Sequence, residues 1–244
     1  MHRFYCPDPE SGLLDAAESH HARSVLRIKV GERCAVFDGK GKEVQAKVTE
    51  VGKHQLSFNV LSCQQSQPLP FSIHLIQALT KGKSWSLILE KSTELGVSSI
   101  LPVLSDRSVT RISPEDSGKQ EKWRQEIIAA CKQSGRNYLP RLSPVTTISQ
   151  LDGCLPAPEA PKFIASLQPG ALPLGQALDQ ALASGAHTDI TIAVGPEGDF
   201  SPAELGEFHA EGYQPVTLGP NVLRAETAAI YLCAVLFHEM QHRL

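Results

Sequence analysis

The chain has 244 residues, 41% of them apolar and 20% charged, which fits one large or two modest core-forming domains and excludes a disordered chain. A net charge of −3 does not announce a nucleic-acid binder, but residues 142–244 carry 3 basic and 11 acidic side chains, so positive groups gather in the first 141 residues. The opening MHRFYCPDPE has no apolar core of a signal peptide, and the longest apolar run, Ala228–Phe237, is too short to span a bilayer, so a cytoplasmic protein with no membrane partner is expected.

Residues 1–68 read as a small β-rich domain. His2–Cys6 is a short strand stopped by Pro7, and Ser19–Leu26 forms one or two helical turns with Val25 and Leu26 inward. Arg33–Asp38 and Glu43–Val51 are strands joined by the glycine turn Asp38–Lys42, and His54–Leu61 alternates with Leu56, Phe58 and Val60 inward. Short strands on glycine turns predict a small barrel. Arg3, Arg23, Arg27 and Lys29 form a candidate basic face; scattered solvating charge is the equal alternative. The polar segment Ser62–Pro70, with its prolines, reads as the linker.

Residues 71–244 alternate strand and helix, the pattern of a parallel α/β sheet. Phe71–Leu79 is a strand, and Ser84 caps a helix that Gly96 ends. KGKS at Lys81–Ser84 imitates the tail of a phosphate-binding loop, but no glycine lies five residues before Gly82, so nucleoside triphosphate binding is rejected. Val97–Val103 is the next strand, and Arg107 and Arg111 follow it. A helix over Lys119–Ser134 ends at Gly135, with Arg136 and Tyr138 in the loop before a strand at Leu142–Val145. Arginine beside an aromatic at a helix end suits phosphate or base contact, or a cation on the helix dipole. Lys162–Leu167 is a strand, a helix from Leu174 closes at Gly185, and Asp189–Val194 is another strand. Ser201, Pro202 and Glu204 spell a capped helix start, and Tyr213–Leu218 is the last strand. The six cysteines and nine histidines form no ligand cluster, so reduced thiols and no metal are expected.

Two Gly-Pro corners stand out, VGPEGDFS at Val194–Ser201 and LGPNVLRAETAAI at Leu218–Ile230. Each follows an apolar strand and precedes a helix. In parallel sheets ligands bind beyond the carboxyl ends of the strands, which makes Gln168–Leu172, Gly195–Phe200 and Gly219–Arg224 the candidate loops. The absence of GxGxxG disfavours a dinucleotide fold.

With QALTKGKSWSLILEKSTELGVSSILPVLSDRSV and CKQSGRNYLP, these corners make the whole chain resemble the RsmE-type ribosomal RNA (uracil-N3)-methyltransferases of the SPOUT class. The resemblance implies an α/β fold with a deep trefoil knot in residues 71–244, behind a PUA-like β-barrel that grips RNA. It implies S-adenosyl-L-methionine as cofactor, a homodimer, and a uridine of small-subunit 16S ribosomal RNA as target. Carried over by motif, Leu167, Gly195, Gly198, Leu218, Pro220 and Leu223 border the cofactor. Arg224 holds the anionic uracil, and Glu226 or Glu197 takes the proton, with water or phosphate as alternatives. Arg3, Arg23, Arg27, Lys81, Lys83, Arg107 and Arg136 are the candidate RNA contacts. Asp199 stands where the family usually has glycine, and Asn221 where a basic or apolar residue is common. Two other functions are kept alongside: a SPOUT methyltransferase acting on a ribose 2′-OH or a guanine, and a catalytically silent RNA-binding protein.

Overall fold

The computed structural model describes residues 1–108, 110, 117–151, 154, 159–183 and 188–243; Arg111 and Gly185 lie outside them. By contacts the chain divides into two compact units, residues 1–69 with 128–139, and residues 70–127 with 140–244. The segment Ile128–Leu139 therefore packs with the first unit, although the sequence reading kept it in the second domain.

The first unit is built on strands β1 (His2–Tyr5), β2 (Leu13–Leu14), β3 (Arg33–Phe37), β4 (Lys42–Val51) and β5 (Leu56–Gln65), with helix α1 (Ala16–His20) after β2. The sheet order is β1-β3-β4-β5-β2, with β1–β3 parallel and the other pairs antiparallel. Val44, Ala46 and Val48 are buried on one face, as their alternation requires, against Phe4, Val36 and Leu56. Two expectations fail here. Val25 is 63% exposed because His21–Val25 is a π-helical turn; its wider spacing puts Ala22 in the core instead. Val60 is 38% exposed because the buried part of β5 ends at Phe58.

The segment Ile128–Leu139 is held by apolar and charged contacts within this unit. Ile128, Cys131 and Leu139 cluster with Tyr5 and Phe37. Lys132 pairs with the buried Glu18 at 2.7 Å, and the Asn137 side-chain oxygen accepts from Arg3 at 2.6 Å.

The second unit contains β6 (Ser72–Ala78), α2 (Gly82–Glu94), β7 (Ser99–Leu104), α3 (Ser117–Ser134, which runs into the first unit), β8 (Arg141–Leu142), β9 (Thr146–Thr147), β10 (Lys162–Ala165), β11 (Leu172–Pro173), α4 (Leu174–Ala183), β12 (Asp189–Val194), α5 (Pro202–Ala210), β13 (Gln214–Thr217) and α6 (Ala225–Arg243). Every strand pairing is parallel, in the order β11-β13-β10-β12-β6-β7-β8, with β9 also on β7. The central strands β6 and β12 are buried along almost their whole length, as strands covered on both faces must be. Ile76, Ala78, Ile164 and Ala193 meet a cluster closed by Phe200, Phe208 and Tyr213, while Trp85 of α2 packs on Trp123 of α3 at 5.0 Å between ring centres. Helix α2 starts at Gly82, two residues before the expected cap at Ser84, with Lys81 in the capping position. The expected strand at Leu142–Val145 is replaced by the two-residue strands β8 and β9.

At the amino-terminal edge of this sheet, His74 bridges Ser99 and Asp189. Its Nδ1 lies 2.8 Å from Ser99 Oγ and its Nε2 lies 3.1 Å from Asp189 Oδ1. A carboxylate only accepts, so Nε2 carries the proton of the neutral ring and Nδ1 accepts from the serine hydroxyl. Burial pushes the His74 pKa down; Asp189 opposes this, but its side chain is 38% exposed, and Arg141 adds to the lowering. A group whose folded pKa is depressed contributes stability above its unfolded value near 6.5 and loses it as pH falls. The thermal midpoint is therefore expected to drop between pH 7.5 and 5.5. His74→Gln, which can keep both hydrogen bonds, is expected to drop less. Equal drops in parallel melts of the two proteins would show that His74 does not carry this dependence.

Candidate functional site

Sheet order assembles the site. Strands β13, β10 and β12 are neighbours and parallel, so the loops leaving Thr217, Ala165 and Val194 emerge side by side at their carboxyl ends. They surround a cavity of about 690 Å³, completed by Lys81 and Ser84 and by the first turn of α6. Leu167, Gly195, Gly198, Leu218 and Leu223 all line it, as do Glu197, Arg224 and Glu226. Pro220 does not: it lies outside the wall, exposed, next to Gly219 at a φ of 116°, while its neighbours Asn221 and Val222 line the cavity in its place.

The loop after β12 is fastened at several points. Gly195 is buried, and a Cβ there would lie 3.3 Å from both the Phe200 amide nitrogen and its ring, so the cavity wall at this point is bare backbone. The Ser201 side chain accepts from the Glu204 amide and Glu204 returns to the Ser201 amide, which is the capping box the sequence spelled at the start of α5. Glu204, 6% exposed, also accepts from the Asp106 amide at 2.8 Å. Arg107 donates from Nη1 to the Gly198 carbonyl at 3.0 Å, so a side chain expected to contact RNA also braces the loop.

The reactive side chains differ in how they are held. Glu197 is exposed and its Oε1 accepts from the Lys81 amide at 3.4 Å, a long bond that links this loop to the one after β6. Arg224 is exposed, and among the described residues its side chain has no ion pair, so no bridge to Glu197 or Glu226 ties it down. Its carbonyl accepts the Ala228 amide at 2.8 Å and so continues the α6 hydrogen-bond ladder through the backbone alone. Glu226 is half-buried in the first turn of α6, where the helix dipole favours an anion.

The other cationic candidates are spread over both units. Lys83 is exposed, and Lys81 is exposed and lines the cavity. Arg27 is exposed at a φ of 53°, and Arg23 is half-buried with Nη1 donating to the Lys53 carbonyl at 3.1 Å. Arg3 departs from the expected basic face. It pairs with the buried Glu43, bonds Asn137 and lies 5.0 Å from the Phe37 ring centre, so its charge is used inside the first unit. Arg136 is half-buried, and burial lowers its pKa.

Comparison with known proteins agrees with this geometry. Residues 67–237 match the family model described as an RNA methyltransferase domain, and residues 14–61 match an RNA methyltransferase PUA domain. The chain is 32% identical over 217 residues to the ribosomal RNA small subunit methyltransferase E of Synechocystis, covering 88% of this chain and 69% of that one. It is 30% identical to the Aquifex aeolicus protein of the same name, covering 98% and 100% of the two chains. Among solved structures, the Neisseria gonorrhoeae enzyme of that name bound to S-adenosyl methionine superposes with a TM-score of 0.84 at 32% identity, covering 99% of this chain and 97% of that one. A Legionella pneumophila methyltransferase in complex with the cofactor SAM gives the same score and identity, covering 97% of each chain. The architecture is thus the α/β SPOUT class with an amino-terminal PUA domain. The chain belongs to the ribosomal RNA small subunit methyltransferase E family.

Proposed function

We propose that the chain is an S-adenosylmethionine-dependent methyltransferase of small-subunit ribosomal RNA, and that the methyl group goes to N3 of a uridine. The observation that carries this reading is an arginine without an ion pair among the described residues and a half-buried glutamate on the wall of one cavity, beside three loops of the family motifs. The cavity fits the cofactor: its volume of about 690 Å³ suits a small molecule, and Gly195 leaves backbone free to approach one closely.

The cofactor, when bound, supplies a methyl carbon already activated by its sulfonium. Uracil N3 is a poor nucleophile while it keeps its imide proton, so the protein must hold the base, remove that proton and stabilise the charge left on O2 and O4. Arg224 presents a planar fork of donors suited to that anion. Glu197 is engaged with the Lys81 amide through one oxygen, and Glu226, half-buried in the first turn of α6, is the carboxylate assigned to accept the proton. Positioning of the pair contributes several kcal/mol more.

In this reading the RNA is gripped by the PUA domain, and the chain works as a cytoplasmic homodimer. Leu167 and Val222, 60% and 76% exposed on the cavity loops, are apolar surface that a second copy or the RNA would cover. No helix among the described residues is long and apolar enough to cross a membrane. Nucleoside mass spectrometry of small-subunit rRNA, from cells with and without the protein, tests the function. Loss of 3-methyluridine is expected; loss of a 2′-O-methyl nucleoside or a methylguanosine instead would overturn the choice of N3.

Charge reversal at Arg23 and Arg27 is expected to weaken RNA binding and to reduce the salt slope by about 2, since each phosphate contact contributes about 0.9. Cofactor affinity should stay unchanged. An unaltered slope in filter binding across a salt series would mean that these arginines only solvate the surface.

A further inference from the structure

Asp199 occupies an unusual position for an aspartate. Its φ is 59°, in the left-handed region that favours glycine, and it lines the cavity. Its amide donates to the Pro196 carbonyl at 3.0 Å, and its Oδ1 accepts the Phe200 amide at 2.7 Å. Phe200 is 1% exposed, so the group that anchors the carboxylate belongs to the core. The same oxygen lies 3.3 Å from where a Cβ on Gly195 would stand, so the bare wall at Gly195 is also what leaves room for the carboxylate. Oδ2 has no hydrogen-bond partner among the described residues. A left-handed backbone thus holds a half-buried carboxylate at the cavity wall, with Oδ1 tied to the Phe200 amide and Oδ2 left available to a cationic ligand.

The charges around the cavity point the same way. Among the described residues Lys81 and Arg224 line the cavity together with Glu197, Asp199 and Glu226, one formal negative charge in excess, and removing the Asp199 carboxylate would cancel that excess. S-adenosylmethionine carries a sulfonium, an ammonium and a carboxylate, one net positive charge. S-adenosylhomocysteine has lost the sulfonium charge with the methyl group and is net neutral. We propose that Asp199 is a specificity-determining residue that makes the cavity favour the charged cofactor over its neutral product, so that the spent cofactor is held less tightly. The proposal rests on the reading that this cavity takes S-adenosylmethionine.

The test is calorimetric titration of the full chain with S-adenosylmethionine and with S-adenosylhomocysteine, in wild type, Asp199→Asn and Asp199→Gly. Asparagine tolerates the left-handed conformation and glycine adopts it freely, so both variants should fold, which thermal melts check. Removing the carboxylate is expected to weaken S-adenosylmethionine about 10-fold, a modest Coulombic effect in a half-open site, and to leave S-adenosylhomocysteine within about 2-fold. The two variants should agree, because charge and not loop shape is at stake. Equal weakening of both ligands, or a ratio restored in one variant, would overturn the proposal. A wild-type protein that binds neither ligand would instead sink the cofactor assignment itself.

Discussion

Gly195→Val is expected to reduce S-adenosylmethionine affinity by about 10²-fold or more. A Cβ at this position already lies 3.3 Å from the Phe200 amide nitrogen, the Phe200 ring and Asp199 Oδ1. The two further methyls of valine must then push into the cavity or into Phe200, which packs on Phe208 at 4.8 Å between ring centres. Intrusion fills the wall where a ligand would meet backbone. Displacement of Phe200 overpacks the core, at a cost of about 1–3 kcal/mol. The buried Phe200 predicts a lower melting temperature as well. Gly198→Ala serves as the control, because a Cβ there meets Arg107 alone, at ordinary contact distances of 3.4 Å from its Cβ, 3.6 Å from its Cδ and 4.0 Å from its carbonyl oxygen. It should bind within a few-fold of wild type. Native cofactor affinity in a folded Gly195→Val, measured by titration, would falsify the assignment of this loop to the cofactor.

Local chemistry made much of this architecture readable in advance. The alternation of strand and helix and the capping box at Ser201 and Glu204 rest on neighbouring residues, and the structure has them. What could not be read depends on pairing at a distance. The site exists because β10 lies between β13 and β12, an order that no segment encodes by itself. Two-residue strands such as β8, β9 and β11 are too short to show any period. The apolar stripe of α3 runs without a break through Trp123, Ile127 and Cys131, so nothing local says that residues 128–139 pack with the first unit. Arg3 read as surface charge because its partners Glu43 and Asn137 are 40 and 134 residues away. Lys81 read as an RNA contact because its cavity neighbours belong to loops more than 80 residues further on. The departure at Asp199 was visible as a residue, but its left-handed backbone was not.

Arg224→Ala is expected to lower the methylation rate at saturating cofactor by about 10²-fold, the scale of a lost oxyanion donor. The reason is where charge appears. Before reaction the uracil is neutral, and the anion on O2 and O4 develops only as the N3 proton leaves. A donor aimed at that charge therefore binds the transition state more strongly than the ground state. Affinity for S-adenosylmethionine should not fall, because the Arg224 side chain forms no ion pair among the described residues that would shape the loop, and its loss removes a positive charge from a wall that meets a cationic cofactor. Helix α6 should also keep its first turn, since the bond to the Ala228 amide comes from the Arg224 carbonyl, which alanine retains. Arg224→Lys should recover only part of the rate, because a point charge cannot match two acceptors as a planar fork does. The rival view makes Arg224 a clamp on the loop. It predicts weaker cofactor binding and a lower melting temperature in Arg224→Ala, with the rate restored once cofactor saturates. Single-turnover methylation of small-subunit rRNA, with cofactor affinity and melting measured on the same preparations, separates the two. A normal saturated rate in Arg224→Ala would remove the arginine from the chemistry and leave the charge on O2 and O4 to another donor.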